Sequence, residues 1–188
     1  MDRISFIRHL ESFLPFNEQE ERDRDVILNL LQVSDDKLIT RANPAHLTAS
    51  AWIVNPKRDR ILMAYHNIYH AWSWLGGHLD GEWDAAKVAL REVLEESGIP
   101  AKLLVSDLFS CEILTVDGHE KRGVYVPSHL HLNVTYLMEA DDTAPLSIKP
   151  DENSAVQWFP INEVPLASCE IWMRTRIYQK LNARLKQI

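Results

Sequence analysis

Residues 76–99, GGHLDGEWDAAKVALREVLEESGI, carry the most specific pattern in the sequence, because two glycines lead there into a run with helical spacing. From residue 84 to residue 97, apolar side chains recur at intervals of three and four, which predicts an amphipathic helix. Gly98, two residues before Pro100, is typical of a helix C-terminus. The stretch therefore predicts a glycine turn followed directly by a helix.

The end of this helix carries a cluster of acidic residues. Glu92, Glu95 and Glu96 are spaced i, i+3 and i+4, so their carboxylates lie on one helical face. Like charges at this spacing destabilise a helix by about 0.2–0.5 kcal/mol per pair, which favours a compensating cation. Oxygen-only ligand sets select hard cations such as Mg²⁺ or Mn²⁺. The alternative is a solvated acidic face with a salt bridge from Arg91 to Glu95.

Residues 77–99 resemble the Nudix box, G-x5-E-x7-R-E-U-x-E-E-x-G-U, in which U is aliphatic. They depart from it at one fixed position, because Trp83 stands where the family has its first Glu. In the family this Glu supports the Arg of the box. We therefore expect Glu82, Asp84 or a helix glutamate to pair with Arg91 in its place.

The resemblance extends over residues 46–166, since DENSAVQWFPINEVP is similar to the acidic loop and Trp-Phe-Pro strand of many Nudix domains. It implies an α/β fold, an alpha/beta/alpha sandwich with a mixed sheet. It also implies a pyrophosphohydrolase that uses Mg²⁺ or Mn²⁺ and cleaves a diphosphate bond in a nucleoside diphosphate linked to another moiety. The metal ligands that it implies are the Gly76 carbonyl and the carboxylates of Glu92, Glu95, Glu96 and Glu152. The catalytic residues that it implies are Arg91, Glu95, Glu96 and Glu152.

Glu152 is the candidate for the acidic residue that the family supplies from a later loop, as a metal ligand or as the base that deprotonates water. Asp151 is its neighbour in PDENSAVQWF and an alternative. Glu120 is the rival, in the polar loop DGHEKRG. Arg122 in the same loop is a candidate contact for a substrate phosphate.

Other candidates for substrate binding are His129 and His131, which alternate along a predicted strand and so share one face. Trp72 offers a ring on which a nucleobase can stack, although a Trp near a glycine turn also fits a core position. The histidines do not form a recognisable zinc motif with a Cys partner or an HExxH pattern.

The N-terminal region predicts a helical hairpin outside the family core. One amphipathic helix ends at Pro15, and Asn17 followed by Glu20 has the form of a capped start of a second. We expect residues 1–45 to form this extension. Residues 46–188 are then the Nudix domain with a C-terminal helix, and the whole chain is one compact unit.

Composition excludes some partners and favours others. The 188 residues include 20 Lys and Arg against 27 Asp and Glu, so the net charge of -7 disfavours nucleic acids and anionic membranes. Two cysteines are too few for a disulfide framework, and the N-terminus lacks the pattern of a signal peptide. We therefore expect a cytoplasmic protein that acts on a small phosphoanhydride, and a homodimer is a further expectation.

The main alternative is a non-catalytic Nudix module that binds a nucleotide metabolite. Such modules often lose carboxylates of the box, whereas this sequence keeps all three on the helix. Isomerisation of a prenyl diphosphate is a smaller alternative on the same fold. The sequence therefore favours hydrolysis.

Overall fold

The computed structural model describes residues 1–34, 36–121 and 123–188, without the side chain of Asp36. The helices are α1 (Arg3–Ser12), α2 (Glu18–Val33), α3 (Ala85–Ser97), α4 (Val164–Ala167) and α5 (Gln179–Leu185). The strands are β1 (Ala45–Val54), β2 (Arg60–His66), β3 (Ala71–Ser73), β4 (Leu75–His78), β5 (Ala101–Leu103), β6 (Ser110–Val116), β7 (His119–Lys121), β8 (Val124–Val126), β9 (His129–Ala140) and β10 (Asn153–Pro160). A 3₁₀ turn spans Asp36–Ile39, and a π-helical segment, Met173–Tyr178, continues into α5.

The two N-terminal helices begin where side chains cap them. Asp2 accepts a hydrogen bond from the Ser5 amide at 2.8 Å, and Asn17 accepts one from the Glu20 amide at 3.0 Å. The Glu20 carboxylate accepts from the Phe16 amide at 2.7 Å. The side chains of Asn17 and Glu20 thus both accept from backbone amides at the start of α2. The predicted helical pair and its Asn17 cap are confirmed.

The strands form a sheet with the order β10-β2-β1-β9-β5, to which β3, β4 and β6 add through β2, β1 and β9. β1 and β2 form an antiparallel hairpin, with Val54 opposite Ile61. The short strands β7 and β8 pair separately as a two-stranded hairpin. The expected α/β architecture with a mixed sheet and N-terminal helices is confirmed. Among the described residues, no helix combines the length and apolar character that crossing a bilayer requires.

Two compact units are distinguished by their internal contacts. The first comprises residues 1–50, 76–89 and 106–136, and the second comprises residues 51–75, 90–105 and 137–188.

In the first unit, a buried polar network joins α2 to the sheet. The Ser110 hydroxyl contacts the carboxylates of both Glu20 and Glu112. Asn133 donates to Glu112 at 3.1 Å and accepts from Thr48 at 2.9 Å. Because buried polar groups are costly unless paired, this network fixes the position of α2 on β6.

In the second unit, aromatic rings pack the C-terminal helix on the sheet. Trp52 of β1 stacks on Tyr178, with ring centroids 5.3 Å apart, and both side chains are buried. Trp72 packs edge-on against Phe159 of β10, with centroids 4.8 Å apart. These contacts hold β10, and the loop that precedes it, at the edge of the sheet.

Candidate active site

The carboxylate site lies within the second unit, at the C-terminal half of α3. Lys149 approaches this helix and places its Nζ 2.9 Å from Oε2 of Glu95 and 4.0 Å from Oε2 of Glu92. The same Nζ lies 3.1 Å from Oε2 of Glu152. Three carboxylates, two from the helix and one from the late loop, therefore converge on one positive charge.

A tight turn brings the late loop to this position. The Glu152 amide donates to the Lys149 carbonyl at 2.8 Å, so both side chains leave the same turn. The Asn67 amide donates to the Glu152 carbonyl at 2.9 Å, which ties the turn to the end of β2. The structure thus brings Glu152, predicted from its place in the sequence, beside the helix glutamates.

Asn153 anchors the turn to α3, a role that the sequence analysis did not identify. Its side chain is 1% exposed, accepts from the Lys149 amide at 3.2 Å and donates to the Glu96 carbonyl at 3.0 Å. In the sequence, the position of Asn153 directly after Pro-Asp-Glu could have indicated its bond to the Lys149 amide, since Asn side chains often bond to nearby backbone groups. The bond to Glu96 spans 57 residues and has no local signature.

The electrostatics of the site reflect partial burial. Glu92 is 12% exposed, and burial raises the pKa of its carboxyl, with the neighbouring Glu95 adding to the effect. Burial opposes the charge of Lys149, yet hydrogen bonds to Glu95 and Glu152 outweigh it and raise the pKa of the ammonium. The site therefore favours a bound positive charge.

The residues present fit a hard divalent cation. Glu92, Glu95 and Glu152 supply oxygen donors that converge on one point, where the Lys149 ammonium occupies the position of a cation. Carboxylate oxygens are the ligands that Mg²⁺ and Mn²⁺ prefer. Glu96 is 5% exposed and leaves the same turn of α3.

Arg91 finds its partners on its own helix. Its Nη2 donates to Oε1 of Glu92 at 3.2 Å, and its Nε lies 3.7 Å from Oε1 of Glu95. The expectation that a helix glutamate pairs with Arg91 is confirmed. Glu82 pairs with Lys87 at 2.8 Å.

Trp83, the departure from the box, contacts the N-terminal extension. Its ring lies 5.7 Å from that of Phe6 on α1, and Phe6 is buried. An aromatic side chain at this position therefore stabilises the docking of α1 within the first unit.

Gly76 occupies a position that has no space for a side chain. A Cβ atom here would lie 2.4 Å from the Ala49 carbonyl oxygen and 2.7 Å from Cα of Ser50. This close approach to β1 explains the glycine. The role of its carbonyl as a metal ligand stays a prediction.

Three further candidates from the sequence are Glu120, Arg122 and Trp72, and the structure describes the first and the last of them. Glu120 is exposed on the β7–β8 hairpin, and Arg122 lies outside the described residues. Trp72 packs between Tyr65 and Phe159, as expected of a core position, while remaining half-buried. Its part in substrate binding stays a prediction.

His129 and His131 lie side by side on β9 in the first unit, with their Nε2 atoms 3.2 Å apart. His46 and His78 join them, and burial lowers the pKa of His46, that of His78 to about 3 and that of His131 to about 2. Next to His129, a cavity of about 440 Å³ is lined by residues 43–45, 115–117 and 128–130. His46, His78, His129 and His131 thus form one cluster, in which the ring of His46 is buried and the other three are half-buried.

The family model described as "NUDIX domain" matches residues 44–180. The chain belongs to the Nudix family, as the box and the carboxylate site indicate. A comparison with curated proteins finds no match.

Solved structures share the fold. The chain is similar to a C. elegans Ap4A hydrolase in a binary complex, with a TM-score of 0.55 and 19% identity over 76% of this chain and 98% of that one. It is similar to a NUDIX-family hydrolase from Clostridium perfringens, with a TM-score of 0.53 and 18% identity over 73% and 97% of the two chains. It also resembles the NUDIX domain of Shewanella oneidensis NrtR complexed with ADP ribose, with a TM-score of 0.52 and 16% identity over 84% and 97%.

Proposed function

We propose that this protein is a Mg²⁺- or Mn²⁺-dependent hydrolase that cleaves a phosphoanhydride bond in a nucleoside diphosphate linked to another moiety. The observation that carries the proposal is the convergence of Glu92, Glu95 and Glu152 on the Lys149 ammonium. It identifies a place where the chain stabilises a cation with oxygen donors. The chain belongs to the Nudix family, and hydrolysis of a diphosphate is assisted by a cation that neutralises its oxygens.

A diphosphate resists attack because its own negative oxygens repel an incoming nucleophile. A divalent cation neutralises these oxygens and lowers the pKa of a bound water. Glu92, Glu95 and Glu96 are the residues that would hold it. Arg91 restrains two of these carboxylates through its contacts with Glu92 and Glu95. Because these side chains are already partly ordered, they would lose less conformational entropy when a cation binds.

Lys149 and Glu152 have separate roles in this proposal. With a divalent cation held by the carboxylates, the flexible ammonium of Lys149 would be available to contact a substrate phosphate. Glu152 is 28% exposed at the edge of the cluster and is the proposed acceptor of the proton from the attacking water.

The second candidate is a module that binds a nucleotide metabolite without hydrolysing it. The similarity to the NUDIX domain complexed with ADP ribose is the observation that favours it. The complete set of helix carboxylates favours hydrolysis instead, because binding alone does not require a site built for a catalytic cation. The proposed cytoplasmic location, the homodimer and the domain boundary near residue 45 stay predictions.

The two candidates are distinguished by a panel of nucleoside diphosphate derivatives, including ADP-ribose and Ap4A, incubated with Mg²⁺ or Mn²⁺. Product release that depends on the cation supports the hydrolase. Saturable binding of a panel compound without any turnover, measured by calorimetry, would support the binding module and contradict the hydrolase.

A further inference from the structure

Four histidines of the first unit form a cluster that the carboxylate site does not use. His46 lies near the start of β1, His78 ends β4, and His129 and His131 lie on β9. Each offers one ring nitrogen, and these nitrogens all lie within 4.8 Å of one another. Three segments that are distant in sequence thus bring their imidazoles to one point.

His46 contributes the strongest sign of a missing ligand. Its side chain is 5% exposed, and its Nε2 is buried with no hydrogen-bond partner among the residues that the structure describes. Its Nδ1 lies 2.9 Å from the Asn43 carbonyl oxygen, so Nδ1 carries the proton and Nε2 carries a lone pair. The ring centroid lies 5.0 Å from those of His78 and His129, which places the unpaired nitrogen within the cluster.

His129 has the same arrangement of its two nitrogens. Its Nδ1 lies 2.8 Å from the Pro127 carbonyl oxygen, which leaves a lone pair on Nε2. Metal-binding histidines are typically oriented in this way, with the second nitrogen bonded to a carbonyl. A hydrogen bond between the Nε2 atoms of His131 and His129 would explain why these two rings lie close together. It would leave Nε2 of His46 without a partner among the described residues.

The spacing of the nitrogens fits a tetrahedral metal ion. Bonds of 2.0–2.1 Å from zinc to nitrogen place neighbouring ligand nitrogens about 3.3–3.4 Å apart. The Nε2 atoms of His129 and His131 are 3.2 Å apart. The wider separations in the cluster, up to 4.8 Å, require a small inward movement of the other rings.

We propose that His46, His78, His129 and His131 bind one transition-metal ion, with Zn²⁺ as the best fit. Imidazole nitrogens favour zinc and its neighbours over Mg²⁺, so the site differs in chemistry from the carboxylate cluster. Four protein ligands complete a tetrahedral shell and leave no open position for a reacting water. The ion therefore has a structural role and links the start of β1, the end of β4 and β9.

The test uses the full chain without a histidine tag, treated with a chelator and then titrated with Zn²⁺. We expect one Zn²⁺ per chain by elemental analysis, a melting temperature raised by several degrees, and the visible absorption of tetrahedral Co²⁺ when cobalt replaces zinc. Weak binding without a defined stoichiometry, or the spectrum of octahedral Co²⁺, would overturn the proposal.

Variants locate the site. His46→Gln and His129→Gln are each expected to weaken Zn²⁺ binding at least about tenfold, because each removes one nitrogen from the shell. His70→Asn is the matched control: His70 is exposed and has a φ of 49°, which Asn tolerates.

Glu95→Gln separates this site from the carboxylate cluster and is expected to keep the Zn²⁺ affinity of the unmodified chain. If Glu95→Gln loses the zinc while His46→Gln and His129→Gln keep it, the ion binds at the carboxylates and the four-histidine site is refuted. The outcome does not depend on turnover, so it is independent of the proposed hydrolysis.

Discussion

Lys149 is the residue around which the carboxylate site is organised. Its ammonium offsets the mutual repulsion of Glu92, Glu95 and Glu152, which would otherwise make their close approach unfavourable. At 24% exposure it remains accessible to solvent, so it can move without breaking a packed core. We therefore expect the removal of this ammonium to increase the attraction of the site for another cation.

Replacing Glu152 by Gln tests the assignment of the general base. We expect the turnover rate to fall by about 10²–10⁴-fold while much of the Mg²⁺ affinity remains, because a proton acceptor is lost and the helix carboxylates are kept. Rates measured across pH in Mg²⁺ provide the test. Glu120→Gln is the comparison, and a slow Glu120 variant beside a fully active Glu152 variant would reverse the assignment.

Trp83→Glu restores the family residue and is expected to destabilise the protein. The change removes a half-buried ring from its contact with Phe6 and puts a charge in its place, at a cost of about 1–3 kcal/mol in the free energy of unfolding. Urea unfolding measures the loss. Trp83→Phe keeps a ring and serves as the control, and a Trp83→Glu variant as stable as the original chain would refute the docking role.

The sequence predicts the residues of α3 better than their partners. The spacing of Glu92, Glu95 and Glu96 is enough to place them together, because helix geometry is local. Lys149 lies 54 residues beyond Glu95, and no rule of spacing connects the two. His46 was missed for the same reason, since its neighbours come from β4 and β9.

At the scale of elements, the turn before β10 determines the geometry of the site. Asn153 joins this turn to the end of α3 through its bonds to Lys149 and Glu96. The turn is also bonded to the end of β2 through Asn67. The late-loop carboxylate is thus held by two neighbouring elements.

Asn153→Ala is expected to loosen this turn. It leaves a backbone donor and a backbone acceptor without their partner, which costs about 1–3 kcal/mol in stability. Because Glu152 is then less well positioned, we expect kcat to fall about tenfold with a smaller change in KM. The exposed residue Asn162, replaced by Ala, is the matched control. Unchanged kcat in the Asn153 variant would show that the turn does not position the site.

Helices and strands with a clear apolar periodicity can be predicted from the local sequence, whereas exposed hairpins and irregular helical segments cannot. The helix predicted over residues 84–97 is confirmed, because apolar periodicity specifies it. The β7–β8 hairpin was missed because Val124 and Tyr125 are exposed, so burial leaves no pattern there. The π-helical segment in Met173–Tyr178 has no distinct periodicity in the sequence.

At the scale of the whole molecule, a bound divalent cation should stabilise the folded chain. Millimolar Mg²⁺ or Mn²⁺ is expected to raise the melting temperature, since it binds the assembled carboxylates and not the unfolded chain. The increment should be larger in Lys149→Met, in which no ammonium competes for the site. Lys102→Met, which removes an exposed lysine paired with Glu139, is the control. An unchanged transition in both the original chain and Lys149→Met would exclude the cation site.

The expected α/β fold was accessible from residues 76–99, because their resemblance to the Nudix box implies it. The division into two compact units could not be predicted from the sequence, since it depends on contacts between segments that are far apart in the chain.

The most direct test of the central claim is the rate of Mg²⁺-dependent hydrolysis by Glu96→Gln on the best substrate of the nucleotide panel. The change keeps the shape of a side chain that is 5% exposed and removes the negative charge of a proposed ligand of the cation. We predict that turnover falls by about two orders of magnitude or more, with little change in stability and a smaller change in substrate binding. Glu163→Gln, at an exposed position, should keep full activity. A Glu96→Gln variant as active as the original chain would refute the proposed cation-dependent hydrolysis.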